Sequence, residues 1–277
     1  MNVSKKSLSQ LKSVTLIGAG KMGMAMAKGW LKNGLKTASL TLVDPNPHID
    51  VVRFVSKNNI ALVPFCERSD IGILVLAIKP QIMADVLLSL KDLISQKTLI
   101  LSIAAGFDIA SLEKGLGTKN IVRAMPNTPA QIGKGVSGIV ASSYVSGSDK
   151  AIINDLLSAS GTVEWFENEA DLEALMLVSG CGPAYVFYLV EAMAAAGIEQ
   201  GLEPKQAMAL ARQTIIGAAA LLEAEPIDAS ILRQNVTSKG GVTEAALSVL
   251  MGEGGFKDLL SKAYKKGLER NKQLGEE

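Results

Sequence analysis

A chain of 277 residues is long enough for one large or two ordinary domains, each with its own core. With 28 basic and 27 acidic residues the formal charge is +1, which provides no strong field to gather nucleic acid or a membrane surface. Only 20% of residues are charged against 48% hydrophobic, a balance that points to surface buried in an oligomer. Cys66 and Cys181 lie far apart, suit no metal-site spacing and read as reduced thiols of a cytoplasmic protein.

Residues 1–12 carry lysines but no apolar stretch of signal-peptide length, and are expected to form a loose leader. Val14 to Ile17 reads as a buried parallel strand running straight into Gly18, Gly20 and Gly23 in G-x-G-x-x-G spacing. A helix follows, with Met22, Ala25, Met26 and Trp30 at helical spacing and Gly34 as its terminator. In that order the first glycine permits a tight turn, the second lets backbone approach a pyrophosphate, and the third lets helix and strand pack closely. A second strand, Leu40 to Val43, ends at Asp44, where a carboxylate can accept hydrogen bonds from ribose hydroxyls and would repel a 2′-phosphate. Taken alone, Asp44 favours NAD over NADP; the turn Asp44-Pro45-Asn46-Pro47 is the plainer alternative. His48 in that turn is not expected to be catalytic.

Three further strands, around Ile71–Ile78, Leu99–Ile103 and Ile121–Ala124, end in Lys79-Pro80, Ala104-Ala105-Gly106 and Met125-Pro126-Asn127-Thr128. Strand ends of that kind line a binding edge in a doubly wound sheet, with Lys79 facing a cofactor or solvent. Val136–Ala141 and Thr162–Phe166 complete the strands, with a helix around Lys150–Ala159 between them. From Asp171 onward only helices are expected, so a boundary is placed near residue 168, giving domains 1–168 and 169–277. The apolar run Leu175–Ile198 is broken by Gly180-Cys181-Gly182-Pro183 and carries Glu191, which argues for a covered helix rather than a membrane span. Pro183–Gly197 is apolar nearly all round, and a second copy of the chain would cover it. No metal-site motif is present. Asn235 to Thr243 sets hydroxyl residues around Gly240 and Gly241 before an apolar helix, a pattern open both to helix capping and to a nest for a small carboxylate.

The pieces IGAGKMG, LAIKP, SIAAG, RAMPNTPA, SGCGPAY and NVTSKGGVTEAALSVL together resemble the pyrroline-5-carboxylate reductase family over essentially the whole chain. The resemblance implies an N-terminal Rossmann-like α/β domain and an all-α C-terminal domain that interleaves with a partner, as dimers assembled into decamers. It implies reduction of a cyclic imine by NADPH or NADH, the last step of proline biosynthesis. By resemblance Gly18, Ala19, Gly20, Lys21 and Met22 hold the pyrophosphate, and Ile78, Lys79 and Ala104 line the ribose and nicotinamide; Gly23 is counted with the cofactor-binding loop as its third glycine. Ser238, Gly241, Val242 and Thr243 then bind the substrate's carboxylate and ring, with Asn235 nearby and Ser238 and Thr243 as catalytic candidates. The chain departs from the family pattern at Cys181, Lys239, Val242 and Asp44, and Asp44 puts the family's NADPH preference in doubt, so NADH is expected to serve at least as well. Rival readings are a 3-hydroxyacid or 6-phosphogluconate-type dehydrogenase, whose G-x-x-x-N-K lysine is missing between Leu172 and Gly201, and a non-catalytic sensor of the nicotinamide pool.

Overall fold

The structure, a computed structural model, describes residues 5–67 and 70–276. Packing divides the chain into two compact units, Met1–Cys181 and Gly182–Glu277.

The first unit is built on an eight-stranded sheet in the order β3-β2-β1-β4-β5-β6-β7-β8. Strands β1 (Val14–Ile17), β2 (Leu40–Val43), β4 (Ile73–Leu76) and β5 (Leu99–Ser102) are buried at every position, as strands covered on both faces must be. Their side chains sort alternately into two cores. Leu16, Val75 and Leu101 pack with α2 (Lys21–Lys32). On the opposite face, Ile17, Leu74, Leu76 and Ile100 pack with α4 (Met83–Leu90) and α5 (Ile109–Leu116). Helix α3 (Ile49–Asn58) adds Val51 and Val55 to the first core, and α6 (Gly147–Ser158) adds Ile153, Leu156 and Leu157. Trp30 of α2 is fully buried there, and its indole N–H donates to the Leu156 carbonyl at 2.8 Å.

Strand β1 pairs with β2 on one side and β4 on the other, all parallel. The chain therefore runs outward from β1 to β3 (Ala61–Val63), then returns to β4. That reversal opens the sheet's switch point at the carboxyl ends of β1 and β4, where ligands bind in such folds. The sheet departs from uniform parallel winding at β6 (Ile121–Pro126) and β7 (Gly135–Ala141), which are antiparallel. Only residues 127–134 join them, too short for a crossover. β8 (Gly161–Trp165) is parallel to β7 through α6.

One expectation needs correction. The stretch read as a loose leader docks from Ser7: α1 (Lys5–Leu8) buries Leu8 completely in the first core, and the Ser7 hydroxyl bonds the Asp155 carboxylate of α6. Residues 1–4 lie outside the described residues. The packing unit runs past residue 168 to Cys181, because α7 (Glu169–Leu175) lies on β7 with Leu172 fully buried. Leu175 sits so close over Gly138 that a Cβ there would lie 2.3 Å from its Cδ1. At the head of α7, Glu169 accepts from the Arg123 guanidinium of β6 at 2.8 Å and from the Ile109 N–H of α5 at 3.1 Å. A π-helical turn, Met176–Gly180, closes this unit.

The second unit is helical: α8 (Gly182–Glu199), α9 (Pro204–Ala224), α10 (Ala229–Asn235), α11 (Val242–Leu250) and α12 (Phe256–Glu276). Its buried core is small, Ala194 against Ala207 and Ala211, with Val190 and Met193 beside them. Phe187, Tyr188, Ile216 and Leu221 are exposed. By length and composition alone, Glu169–Glu199 and Pro204–Ala224 are apolar enough to cross a membrane.

Candidate active site

At the switch point the three glycines meet three different demands. Gly18 has φ +93°, and a Cβ on it would lie 2.5 Å from the Ala77 carbonyl oxygen at the end of β4. Gly23 packs so tightly that a Cβ would lie 2.3 Å from the Gly18 carbonyl oxygen. Gly20 has an ordinary φ of −70° and nothing within 4 Å of a would-be Cβ. Gly18 and Gly23 are thus fixed by the fold, whereas Gly20 leaves open space above the backbone. Gly20 is also the N-cap of α2, and no side chain caps that helix, so its first-turn N–H groups and positive dipole end are available to an anion. A groove of about 550 Å³ runs alongside, lined by residues including Ala19, Gly20, Lys21, Lys28, His48 and Gln131. These features fit the pyrophosphate of a dinucleotide.

The neighbouring strand ends supply the rest of the crevice. The Gly18 N–H donates to Val43 O and the Ala77 N–H to Ile17 O, each at 2.8 Å, so β1, β2 and β4 stay locked together up to the loop. Ile78 touches the glycine turn, its Cγ2 being 2.8 Å from the Gly18 Cβ position. Lys79 is exposed at the start of the following 3-10 turn. Ala104 is buried in the core with Ile17 and Leu76, so it offers the crevice backbone shape rather than an exposed side chain. Asp44 is half-buried, with Oδ2 accepting from the Ala19 N–H and Oδ1 from the Asn46 N–H, each at 2.9 Å. His48 caps α3, its Nδ1 accepting from the Asp50 N–H at 3.3 Å.

The remaining predicted residues cluster in the second unit, in the turn between α10 and α11. Asn235 ends α10, and Gly241 is the N-cap of α11, again without a side-chain cap. The Ser238 hydroxyl lies 2.4 Å and the Ser238 carbonyl oxygen 3.0 Å from where a Cβ on Gly241 would stand, so the turn folds closely over that glycine. The Gly240 N–H is taken by the Glu244 carboxylate at 2.6 Å and the Gly241 N–H by Ser238 O at 3.0 Å. That leaves the first-turn amides of Val242, Thr243 and Glu244 for an anion. Val242 is 89% exposed, and the exposed Thr243 hydroxyl has no hydrogen-bond partner among the described residues. Glu244 went unread in the sequence, although Gly241-Val242-Thr243-Glu244 has the spacing of a capping box.

Comparison with known proteins decides the kinship. The family model for pyrroline-5-carboxylate reductase dimerisation matches residues 169–274, and that for "NADP oxidoreductase coenzyme F420-dependent" matches residues 13–106. A pyrroline-5-carboxylate reductase of Vibrio alginolyticus is 36% identical over 269 residues, 95% of this chain and 97% of the relative. The chain belongs to the pyrroline-5-carboxylate reductase family. Among solved structures, the reductase of Coxiella burnetii superposes with a TM-score of 0.87 at 32% identity, covering 96% of this chain and 99% of the other. That of Plasmodium falciparum, solved with NADP bound, gives 0.79 at 28% identity, covering 96% and 99%. The resemblance read from the motifs is thereby confirmed, and with it the order of a Rossmann-like domain and a helical dimerisation domain. Within this family frame Asn127, in the RAMPNTPA piece, has a structural task. Its Oδ1 accepts from Val136 N at 2.9 Å and its Nδ2 donates to Ser179 O at 3.0 Å, joining the β6–β7 turn to the π turn.

Proposed function

We propose that this protein reduces 1-pyrroline-5-carboxylate to L-proline with NADPH or NADH, the closing step of proline biosynthesis. The observation that carries the reading is the full-length likeness to reductases of that name. The glycine crevice holds the dinucleotide, with the first turn of α2 on its pyrophosphate and Ile78 beside the loop. When bound, the reduced nicotinamide supplies a hydride. The turn from Ser238 to Thr243 holds the substrate's carboxylate on the α11 amides, while the Ser238 and Thr243 hydroxyls orient the ring. A protonated imine carries its own positive charge, so the chain needs to position it rather than to donate a proton to a developing oxyanion. Purified protein mixed with NADH or NADPH should lose the dinucleotide's near-ultraviolet absorbance only when the imine is added. No imine-dependent loss with either dinucleotide would overturn the reading and leave a dinucleotide-binding protein without turnover.

The family's dimerisation model supports self-association. We propose residues 169–277 as the functional division that makes a homodimer, with five dimers forming a decamer, in the cytoplasm. A second copy would cover the exposed apolar faces of α8 and α9. Sedimentation at micromolar concentration should therefore give particles of at least twice the 29.1 kDa chain mass, and a single 29.1 kDa species would remove the dimer.

A further inference from the structure

We infer that Asp44 makes this reductase favour NADH over NADPH. The inference rests on the proposed reading that the glycine crevice takes a nicotinamide dinucleotide. Asp44 stands directly after β2, where the adenosine ribose lies in this fold. Its backbone is pinned to the sheet edge, the N–H donating to Val63 O of β3 at 3.1 Å. Its side chain is pinned as well: one oxygen takes the Ala19 N–H of the glycine loop and the other takes the Asn46 N–H, each at 2.9 Å. The carboxylate is therefore held against the loop that carries the pyrophosphate and cannot swing away without breaking both bonds.

A carboxylate offers about four acceptor positions. Two are occupied here, which leaves acceptors for the ribose hydroxyls. A 2′-phosphate brings a charge of about −1.5 to −2 and only acceptor oxygens to the same place. Asp44 gives it no donor and repels it, and no ion pair neutralises Asp44 among the described residues. The cations that line the adjacent groove are Lys21 and Lys28, and Lys28 sits over the Phe54 ring at 5.4 Å. They are the groups that would rescue a 2′-phosphate if the inference were wrong.

The test is direct binding, measured by calorimetry without imine, of NADH against NADPH and of 5′-AMP against adenosine 2′,5′-bisphosphate. The expected result is at least tenfold tighter binding of NADH than of NADPH, with 5′-AMP ahead of the bisphosphate. Asp44→Asn and Asp44→Ser should each narrow the NADH advantage about tenfold, chiefly by strengthening NADPH. Equal or tighter NADPH binding by the unaltered protein overturns the inference whatever the variants do. So does an unchanged ratio in both variants, which would make Asp44 only a cap for the glycine loop. Selective NADH binding without imine turnover would instead sink the reductase reading and leave the inference standing.

Discussion

Replacing Gly20 by valine should weaken binding of NADH and NADPH at least tenfold while the protein stays folded, whereas Gly18→Ala should cost mainly stability. At Gly20 the backbone is already extended and a side chain meets empty space, so the penalty to the fold is that of an altered N-cap, ~1 kcal/mol. The new methyl groups would fill the space that a pyrophosphate needs in order to reach the α2 amides. At Gly18 the positive φ alone costs an alanine ~1–2 kcal/mol. The Ala77 carbonyl oxygen, 2.5 Å from the new Cβ, is backbone of the central sheet and must shift, which takes the total to ~3 kcal/mol or more. For a unit of this size each kcal/mol lowers Tm by about 2–4 °C, so Gly18→Ala should melt about 6–12 °C lower and Gly20→Val only about 2–4 °C lower. Dinucleotide titration and thermal melts on both variants check the pair. Wild-type affinity in Gly20→Val would show that the phosphates do not approach there.

Thr243→Ala should lower kcat/KM for the imine by tens-fold with dinucleotide affinity unchanged. Losing one well-placed hydrogen bond costs ~1–3 kcal/mol, and each 1.4 kcal/mol is about tenfold in rate. The structure makes this variant informative. Thr243 is the second residue of α11, is exposed and bonds nothing within the described residues, so alanine there neither uncaps nor weakens the helix. Thr243→Ser keeps the hydroxyl and should recover most of the rate. Unchanged kcat/KM in Thr243→Ala would take the hydroxyl out of the mechanism, and a parallel loss of NADH affinity would point to a displaced α11.

Much of the first unit was legible because its parts obey independent rules. Val14–Ile17 consists of apolar or β-branched residues buried on both faces, and the glycines after it satisfy three separate constraints, so strand, loop and helix could be read together. Ala61–Val63 escaped because a three-residue, half-exposed edge strand leaves almost no apolar pattern. The reversal at β7 was hidden because alternation of side chains carries no direction; only the short 127–134 connection hinted at it. The boundary near 168 marked where strand composition ends, whereas packing follows Leu172 and Leu175 back onto β7. Residue types and spacing singled out Asp44 as a ribose acceptor or a turn residue and Asn235–Thr243 as a helix cap or a carboxylate nest, and it took the family resemblance to give the Ser238–Thr243 turn a role. Which amides were already engaged, by Asp44 at Ala19 and by Glu244 at Gly240, depends on side-chain torsions that no spacing encodes.

Trp30, sealed between α2 and α6, gives the molecule an internal optical gauge. The chain has two tryptophans, and both Trp30 and the 37% exposed Trp165 fall in the first unit. Indole emission excited at the red edge therefore reports the sheet alone, its shift to longer wavelength marking the moment water reaches Trp30. The helical half carries tyrosines and phenylalanines but no tryptophan and is silent in that channel, so backbone ellipticity recorded alongside would tell whether the two halves melt as one or in succession.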